Sequence, residues 1–510
     1  MSLLIRGKYV ITDPKNCEKN ILKDTAVYVE KDRISDIGEF DLMKTTYPNA
    51  IIKGNGKQLL MPGLINSHSH GNGLSYFQRG ITYDFLENFL MDAANAIILE
   101  PELNAMLCAI RHLCNGCTTM HHIQGGNSLE TEFTEKVFRG YEKAGIRIAF
   151  SNGVKDLNII TYDDKSFYKT LPHELQKLVS PIFFNDKEAY IKSYFEFFQY
   201  LFDKYENDDR KIIFGPLWAQ GSADKFLQEI KTKADELGKI PIHLHTLQTT
   251  IQKAYGLKKY GKSLLAHLDD LGLVDDNLVL GHAVFLNQED IELLSAKNGS
   301  ITHHASCNLV VRNGIAPVYF CQKAGINIAL GIDDKGINDD EDPFMEMRMI
   351  FYLNRNSDFD LTKASLLSSS EVLQMATINA AKVCNFEGEI GALKIGMKAD
   401  LILVDLERIM ENPWVSPSVN IIDLLICRGV GADVNTVVVN GEIIIDEHKF
   451  CKLDVELIYN EVRKSVEKGM NDKQKEIAEM MKKLKPYAQS WFGQFSVPEL
   501  DPFYKMNSRI

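Results

Sequence analysis

Apolar residues fall into two kinds of run along this chain. Near the N-terminus LLIRGKYVIT, DTAVYVE and RISDIG are β-rich stretches broken by Asp, Lys and Gly, which predicts short strands over residues 1–60. A second β-rich patch lies far downstream, at ADLILVDL (399–406) and TVVVNGEIII (436–445). In the latter, Asn440-Gly441 stands between two apolar runs and predicts a two-residue hairpin. Two β patches flanking a long middle predict one small β-sandwich domain built from both ends, residues 1–60 with 390–452.

The middle, 61–389, alternates. Eight short apolar runs stand apart: LMPGLINSHSH (60–70), CTTMHHI (117–123), RIAFSNGV (147–154), KIIFGPLWA (211–219), IPIHLHTL (240–247), LVLGHAV (278–284), GSITHHAS (299–306) and INIALGIDD (326–334). Helix-like segments such as ADKFLQEIKTKADELG separate most of them. Strands alternating with helices predict parallel pairing, and eight such units predict a closed (β/α)8 TIM barrel. An open doubly wound sheet is the alternative α/β fold.

Two segments stand outside this pattern. The insertion 155–210, between the third and fourth strands, carries Phe195, Phe198, Phe202 and Tyr205 at helical spacing. That predicts a helix burying an aromatic stripe, with a lid over the strand-to-helix side of the barrel as the sharper alternative. The tail 453–510 opens with Val455, Ile458, Tyr459, Val462 and Val466, an amphipathic stripe, then runs through a Lys-rich stretch to Pro486. The aromatic residues that follow, Trp491, Phe492, Phe495, Phe503 and Tyr504, are costly to leave in water. This helical and aromatic tail is expected to pack back on its own chain or onto a second subunit, as in a homodimer.

Composition narrows the function. The 510 residues are 45% hydrophobic and 25% charged, the balance of a globular chain with a large core. The formal charge of −12 counts against nucleic acid or an anionic membrane as partner, since both reward a basic face. No apolar stretch is long enough for a membrane span, the opening MSLLIRGKYV has no secretory h-region, and nine cysteines do not read as a disulfide framework. These features predict a cytoplasmic enzyme acting on a small molecule. No phosphate-cradling GxxxxGK[ST] loop is present.

Histidine carries the chemistry. Of the 13 histidines, His68, His70, His121, His122, His243, His245, His282, His303 and His304 sit within or at the ends of predicted strands. A single such residue reads as core; so many converging on one barrel mouth would be costly to bury without a purpose, and imidazole is the commonest metal ligand. His68-Ser69-His70 closes the first strand, and residues i and i+2 share a face, so both rings can reach one ion. His245 ends the fifth strand, His282 lies in the sixth, and Asp333 ends the eighth. Imidazoles plus one carboxylate, with room for water, describe a catalytic metal site rather than a structural one. The single CxxC, Cys114 to Cys117, has no second half.

These residues, with MPGLINSHSH, GCTTM near the second strand, HHASCNLVVRNGIAPV near the seventh, DPFMEMR after the eighth and GALKIGMKADLILVDL at the return to the β domain, resemble the amidohydrolase superfamily. Within it they resemble the triazine-hydrolase and nucleobase-deaminase branch, over residues 1–450. The resemblance implies a barrel carrying one divalent metal, zinc before iron or manganese. It implies His68, His70, His245 and Asp333 as ligands, with Asp333 also the base for a metal-activated water that attacks an sp2 carbon. The fourth strand ends GPLWAQ, without the lysine that bridges two metals in some members.

By the same resemblance His282 and His303 are catalytic candidates and Arg79 a candidate for substrate contact; His122 and His304, less usual in the branch, are further candidates for substrate contact, and the alternative for these polar residues is an ion pair or a packed core histidine. His243 shares a strand face with His245, but His245 is nearer the strand end. Relatives place a Glu three residues after the liganding His, where this chain has Gln248. An amide does not cycle a proton at neutral pH, so Gln248 is the departure that bears on mechanism. Cys307 reads as a packing residue where relatives carry Ser. The expected activity is hydrolysis of a non-peptide C–N bond in a nitrogen-rich cyclic or amidine-like substrate, by deamination or by ring or amide hydrolysis. Ring dehalogenation, and a catalytically inactive metal- or ligand-binding barrel, are the alternatives that Gln248 leaves open.

Overall fold

A computed structural model describes residues 2–15, 17, 21–126, 129–355 and 366–495. Five strands open the chain: β1 (Ser2–Ile11), β2 (Ile21–Glu30), β3 (Arg33–Glu39), β4 (Ile51–Lys53) and β5 (Gln58–Pro62). Eight follow in the middle: β6 (Leu64–Ser69), β7 (Cys117–Gln124), β8 (Arg147–Asn152), β9 (Arg210–Ile212), β10 (Ile242–Thr246), β11 (Leu278–His282), β12 (Ser300–His303) and β13 (Asn327–Leu330). Then come β14 (Leu401–Asp405), β15 (Val434–Val439), β16 (Glu442–Asp446) and β17 (Lys449–Phe450).

The strands of the two chain ends form one nine-stranded sheet, in the order β17-β16-β15-β14-β5-β1-β2-β3 with β4 beside β1. The junction between the ends is β5 against β14, antiparallel from Gln58↔Asp405 to Pro62↔Leu401. Leu3, Ile5, Val27, Val29, Leu60, Leu401 and Val438 bury one apolar cluster drawn from both ends. The β15–β16 hairpin turns at Asn440 (φ 53°) and Gly441 (φ 73°), both left-handed as this turn requires. A Cβ at Gly441 would lie 1.9 Å from the Lys31 carbonyl oxygen, so only glycine fits there.

The middle is a (β/α)8 barrel. β6-β7-β8-β9 and β10-β11-β12-β13 are parallel four-stranded sheets. Isolated parallel bridges join them on both sides, Phe214↔Ile242 and Ser69↔Asp333. At the second seam Asp333 N–H donates to the His68 carbonyl at 2.8 Å and His70 N–H donates to the Asp333 carbonyl at 3.3 Å. Every residue of β6, β7, β8, β10 and β11 is buried. Burial on both faces explains why these strands read as continuous apolar runs instead of alternating.

The aromatic stripe of the insertion is core. The helix Lys187–Tyr205 buries Tyr194, Phe197, Phe198 and Leu201, and the Phe198 ring stacks on Phe214 at 3.8 Å. In the tail, the helix Val455–Glu467 buries Ile458 and Val462, the latter packed with Leu99 and Leu107. The helix Asp472–Gly493 begins in a capping box between Asn471 and Gln474 and turns Leu484, Ala488, Trp491 and Phe492 inward. Its aromatic end packs back on its own chain: Phe492 meets Tyr162 at 5.1 Å and Phe495 meets Tyr255 at 5.9 Å. Phe503 and Tyr504 lie outside the described residues. All nine cysteines are free, and no described helix is long and apolar enough to cross a membrane.

Candidate active site

Imidazoles gather where the barrel strands end. His68 and His70 close β6, His243 and His245 close β10, and His282 closes β11; Asp333 follows β13 and is stitched to β6 by the seam bonds described above. Leu247, His282 and Asp333 take left-handed φ angles of 54°, 70° and 70°. Such a conformation costs roughly 1–3 kcal/mol at a non-glycine residue and persists only where the surroundings over-determine it. Here the chain must turn sharply off each strand while keeping its last side chain over the barrel axis.

One Asp333 oxygen, Oδ1, lies 3.2 Å from His70 Nε2 and 3.6 Å from His68 Nε2, and the other, Oδ2, lies 3.6 Å from His282 Nε2. His68, His70 and His245 each offer a ligand atom, all within 4.8 Å of one another; His68, His282, His304 and Asp333 form an overlapping group. The opposite ring nitrogens are all engaged. His70 Nδ1 donates to the Ile123 carbonyl at 3.1 Å and His245 Nδ1 to the Leu217 carbonyl at 2.7 Å. His282 Nδ1 pairs with Asn308 Oδ1 at 2.9 Å, and His68 Nδ1 with His243 Nε2 at 2.8 Å. A carbonyl accepts only, so in His70 and His245 Nδ1 carries a proton and Nε2 is the nitrogen turned to the site. His68 Nε2 and His282 Nε2 are buried with no hydrogen-bond partner among the described residues. Each such orphan costs about 1–3 kcal/mol. Lone pairs converging beside one carboxylate suit a divalent cation, and the donor set of nitrogen plus oxygen suits zinc, iron or manganese.

Burial, and then the neighbouring imidazoles, hold His68 well below the usual histidine range. His245 is likewise held down, by burial and then by His282 and His70. His70 goes the other way: burial pulls it down, but the Asp333 hydrogen bond and charge outweigh it and raise it. Burial works to raise Asp333, yet the hydrogen bond from His70 and the charges of His282 and His70 hold its carboxyl well below the ordinary range. The neutral imidazoles of His68 and His245 and the ionised carboxylate are the forms that bind metal, and a cation would displace the proton that His70 shares with Asp333.

A cavity of about 400 Å³ opens over this floor. His70, His245, His282, Gln248, Cys307 and Asp333 line it. Cys307 does more than pack, since its Sγ donates to Asp333 Oδ2 at 2.8 Å. The walls and roof are largely apolar: Leu86, Phe89, Leu90 and Met91 of the helix Leu86–Asp92, Ile159 and Ile160 of the insertion, Trp218, Val310, Val311 and Met481.

Arg79, His122, His303 and His304 line none of this cavity. Arg79 holds its own loop, donating to the Ser75 carbonyl at 3.2 Å and to Asn72 Oδ1 at 3.2 Å while lying 4.2 Å over the Tyr76 ring. His122 pairs with the Tyr141 hydroxyl at 2.9 Å and packs beneath Gly71, and burial pulls it down to about 3. His303 falls on the other face of β12 from Thr302, whose Oγ1 meets His304 Nε2 at 3.0 Å and His243 Nε2 at 3.4 Å. His304 sits beneath the floor, its Nδ1 3.1 Å from His282 Nδ1. His121 is beneath it too, bonded to Ser151 Oγ at 2.9 Å.

Sequence reasoning missed Lys155, Trp218, Asp334 and Met481 as cavity residues. Lys155 Nζ lies 4.2 Å over the Trp218 ring and donates to the Ile159 carbonyl at 2.6 Å; burial pulls it down to about 8. The Asp334 carboxylate accepts from the Tyr83 hydroxyl and, at 3.4 Å, from Asn72 Nδ2. The only sequence signal was that Asp334 stands beside Asp333 and Lys155 stands just past a strand-like run.

Residues 59–444 match the amidohydrolase family. The chain is 31% identical over 470 residues to the 5-methylthioadenosine/S-adenosylhomocysteine deaminase of Caldanaerobacter subterraneus subsp. tengcongensis, an alignment covering 91% of this chain and 98% of that protein. Among solved structures it is similar to an adenosine deaminase from Xanthomonas campestris with bound zinc, at TM-score 0.75 and 23% identity over 91% of this chain and 98% of the other. It is also similar to an atrazine chlorohydrolase from Arthrobacter aurescens TC1 complexed with zinc, at TM-score 0.75 and 20% identity over 91% and 100%. At those identities the two solved structures speak to the fold.

Proposed function

We propose, from the premise that this chain belongs to the amidohydrolase family, that it removes the exocyclic amino group of an adenosine derivative as ammonia. Membership makes it a hydrolase of carbon–nitrogen bonds other than peptide bonds; the finer reading of the substrate rests on its likeness to the deaminase of 5′-modified adenosines. The observation that carries the site assignment is the tethering of His68, His70 and His245 each at Nδ1, which leaves three Nε2 atoms for one cation beside Asp333.

His68, His70, His245 and Asp333 would hold a divalent metal, zinc first, which when bound supplies Lewis-acid activation of water at neutral pH. The rest falls to side chains of this chain. Asp333 accepts the proton of the attacking water, since it is ionised and lies beside three imidazoles. His282, whose Nδ1 is fixed by Asn308, turns Nε2 to within 3.6 Å of Asp333 Oδ2 and would contact the attacking water or the substrate. Gln248 orients the ring by hydrogen bonding and does not transfer a proton, so Asp333 returns the proton it took to the departing amine. Gln248 also favours a second reading: hydrolytic displacement of a ring substituent that leaves as an anion and needs no proton.

The test is ammonia release from adenosine, 5′-methylthioadenosine, S-adenosylhomocysteine and an aminotriazine by protein loaded with one equivalent of zinc, with chloride release from a chlorotriazine alongside. Ammonia from an adenosine derivative is expected, and Gln248→Glu should raise it if protonation of the ring limits the rate. Chloride without ammonia would replace the first reading by the second. Neither product from folded protein carrying stoichiometric metal would overturn both.

A further inference from the structure

The helix Asp472–Gly493 lies beyond residue 444, where the family match ends, yet its Met481 forms part of the cavity wall. We propose that this helix is a built-in part of the substrate site: Met481 sets how long a substituent the cavity accepts on the heterocycle, and Lys485 keeps the roof in place. The proposal rests on the reading above for the identity of the heterocycle and not for the architecture.

The helix is fixed to three separate loops that roof the barrel. Lys485 Nζ donates to both Asp92 carboxylate oxygens, at 2.7 and 2.6 Å, and Gln489 Nε2 donates to Asn88 Oδ1 at 3.0 Å. Both partners belong to the helix Leu86–Asp92, in the loop after the first barrel strand, whose Leu86, Phe89, Leu90 and Met91 face the cavity. In the loop after the third barrel strand, Trp491 Nε1 donates to Ser166 Oγ at 2.9 Å and Phe492 packs edge-on against Tyr162. After the fifth, Phe495 packs against Tyr255.

The three loops are also tied to one another beneath the helix. Glu87 Oε1 accepts from the Tyr162 hydroxyl and from Thr249 Oγ1, each at 2.6 Å. Thr249 follows Gln248 directly, so the roof is braced against the residue that touches the reacting ring. With Trp491 and Phe492 6% and 7% exposed, the helix is seated and not draped over the surface.

The chemistry of the roof selects the ligand. The floor supplies imidazoles and Asp333 to the amino-bearing end of the ring. The roof residues that line the cavity, Leu90, Met91 and Met481 among them, are apolar, its Glu87 and Asp92 carboxylates being engaged by Tyr162, Thr249 and Lys485; the charged lining residues Lys155, Asp334 and Lys335 come from other elements. A thioether on three rotatable bonds fills space adaptably, so Met481 yields to an apolar substituent and meets no hydrogen-bonding demand. The class favoured is therefore an aminated heterocycle or nucleoside whose remote substituent is apolar.

The experiment uses the full-length zinc-loaded protein and three variants, Met481→Ala, Met481→Trp and Lys485→Ala. For the alanine variant, the KM ratio of 5′-butylthioadenosine to 5′-methylthioadenosine should fall by about tenfold, and for the tryptophan variant it should rise by a similar factor, the scale of one or two methylenes in an apolar pocket. Equal changes for both compounds would overturn the proposal. A second readout needs no turnover: in Lys485→Ala, hydrogen exchange should lose protection over Leu86–Asp92 while the strands of the barrel keep theirs. Unchanged protection there would overturn the roof even if the substrates behave as expected. If neither nucleoside is turned over, the reading of function has failed, and the exchange result alone judges the roof.

Discussion

Arg147→Met probes how the barrel is tied to the sheet. Arg147 opens β8, and its side chain is 1% exposed. Nε donates to Asp400 Oδ2 at 2.7 Å, and Nη2 to Asp400 Oδ1 at 3.0 Å and Asn440 Oδ1 at 3.3 Å. Nη1 donates to Asp209 Oδ1 at 2.8 Å and the Asp208 carbonyl at 2.7 Å. Asp400, just ahead of β14, is as buried as its partner, and beyond Arg147 it accepts from Asn440 N–H at 2.7 Å. Methionine keeps much of the arginine stem but strands the Asp400 carboxylate in a dry site, which costs about 3–5 kcal/mol. The Asp209 contact adds little, about 0–1 kcal/mol, because that carboxylate is 53% exposed. The double variant Arg147→Met/Asp400→Leu removes the stranded charge and should recover most of the loss, since an apolar pair often matches a buried ion pair in stability. Urea unfolding followed by circular dichroism and by intrinsic fluorescence measures both variants against the parent. A cost below about 1 kcal/mol for the single variant, or a double variant no more stable than the single one, would refute the claim that desolvated charge dominates this junction.

Two further changes test groups nearer the chemistry. Glu346, 1% exposed and accepting from Ser306 N–H at 3.0 Å, is pushed by burial from 4.5 to about 7. A carboxyl raised in the folded state favours folding fully below its unfolded value and loses that contribution as pH climbs through the folded one, here by about 3 kcal/mol at pH 8. Glu346→Gln should therefore match the parent near pH 4 and be the more stable at pH 8; a difference that does not change between those pH values in urea titrations would sink this account. Asp333→Asn should lower kcat by about 10²–10⁴-fold while the unfolding midpoint stays near that of the parent. Turnover within tenfold of the parent would move the proton-accepting role to another group, Asp334 first.

The barrel was legible because strands buried on both faces leave unbroken apolar runs, and eight of these stand clear of the helical segments between them. His68, His70, His245, His282 and Asp333 were legible for the same reason: each is polar at the end of such a run, where a barrel strand delivers its last side chain to the mouth. The choice between His303 and His304 was not. β12 holds four residues, too few to establish alternation, and a shift of one residue exchanges the inner face for the outer. Arg79 and His122 carry no mark in sequence that separates holding a loop from touching a ligand. The roof was out of reach for another reason. Lys155, Trp218 and Met481 come from an insertion, a loop and a terminal helix, and no periodicity relates them to the strands they cover.

Floor and roof answer to different constraints. The floor is over-determined: His70, His245, His282 and His68 are each steered by a partner on a different element, the Ile123 carbonyl, the Leu217 carbonyl, Asn308 and His243. Moving any one of these disturbs the angle of a ring that must point at a shared centre, so the floor is expected to tolerate little change. The roof is joined through three loops and a late helix, and on the proposed architecture substitution there should alter which molecule fits without altering what is done to it. Gln248 stands where the two meet, lining the cavity while its backbone N–H is held by Gln252 Oε1 at 2.8 Å. An amide at that junction can direct a ring through hydrogen bonds but leaves all proton transfer to the floor. On the proposed mechanism the reaction is governed by how readily its leaving group departs once Asp333 has taken the proton from water, and on the proposed architecture the roof governs which substituent the ring can carry.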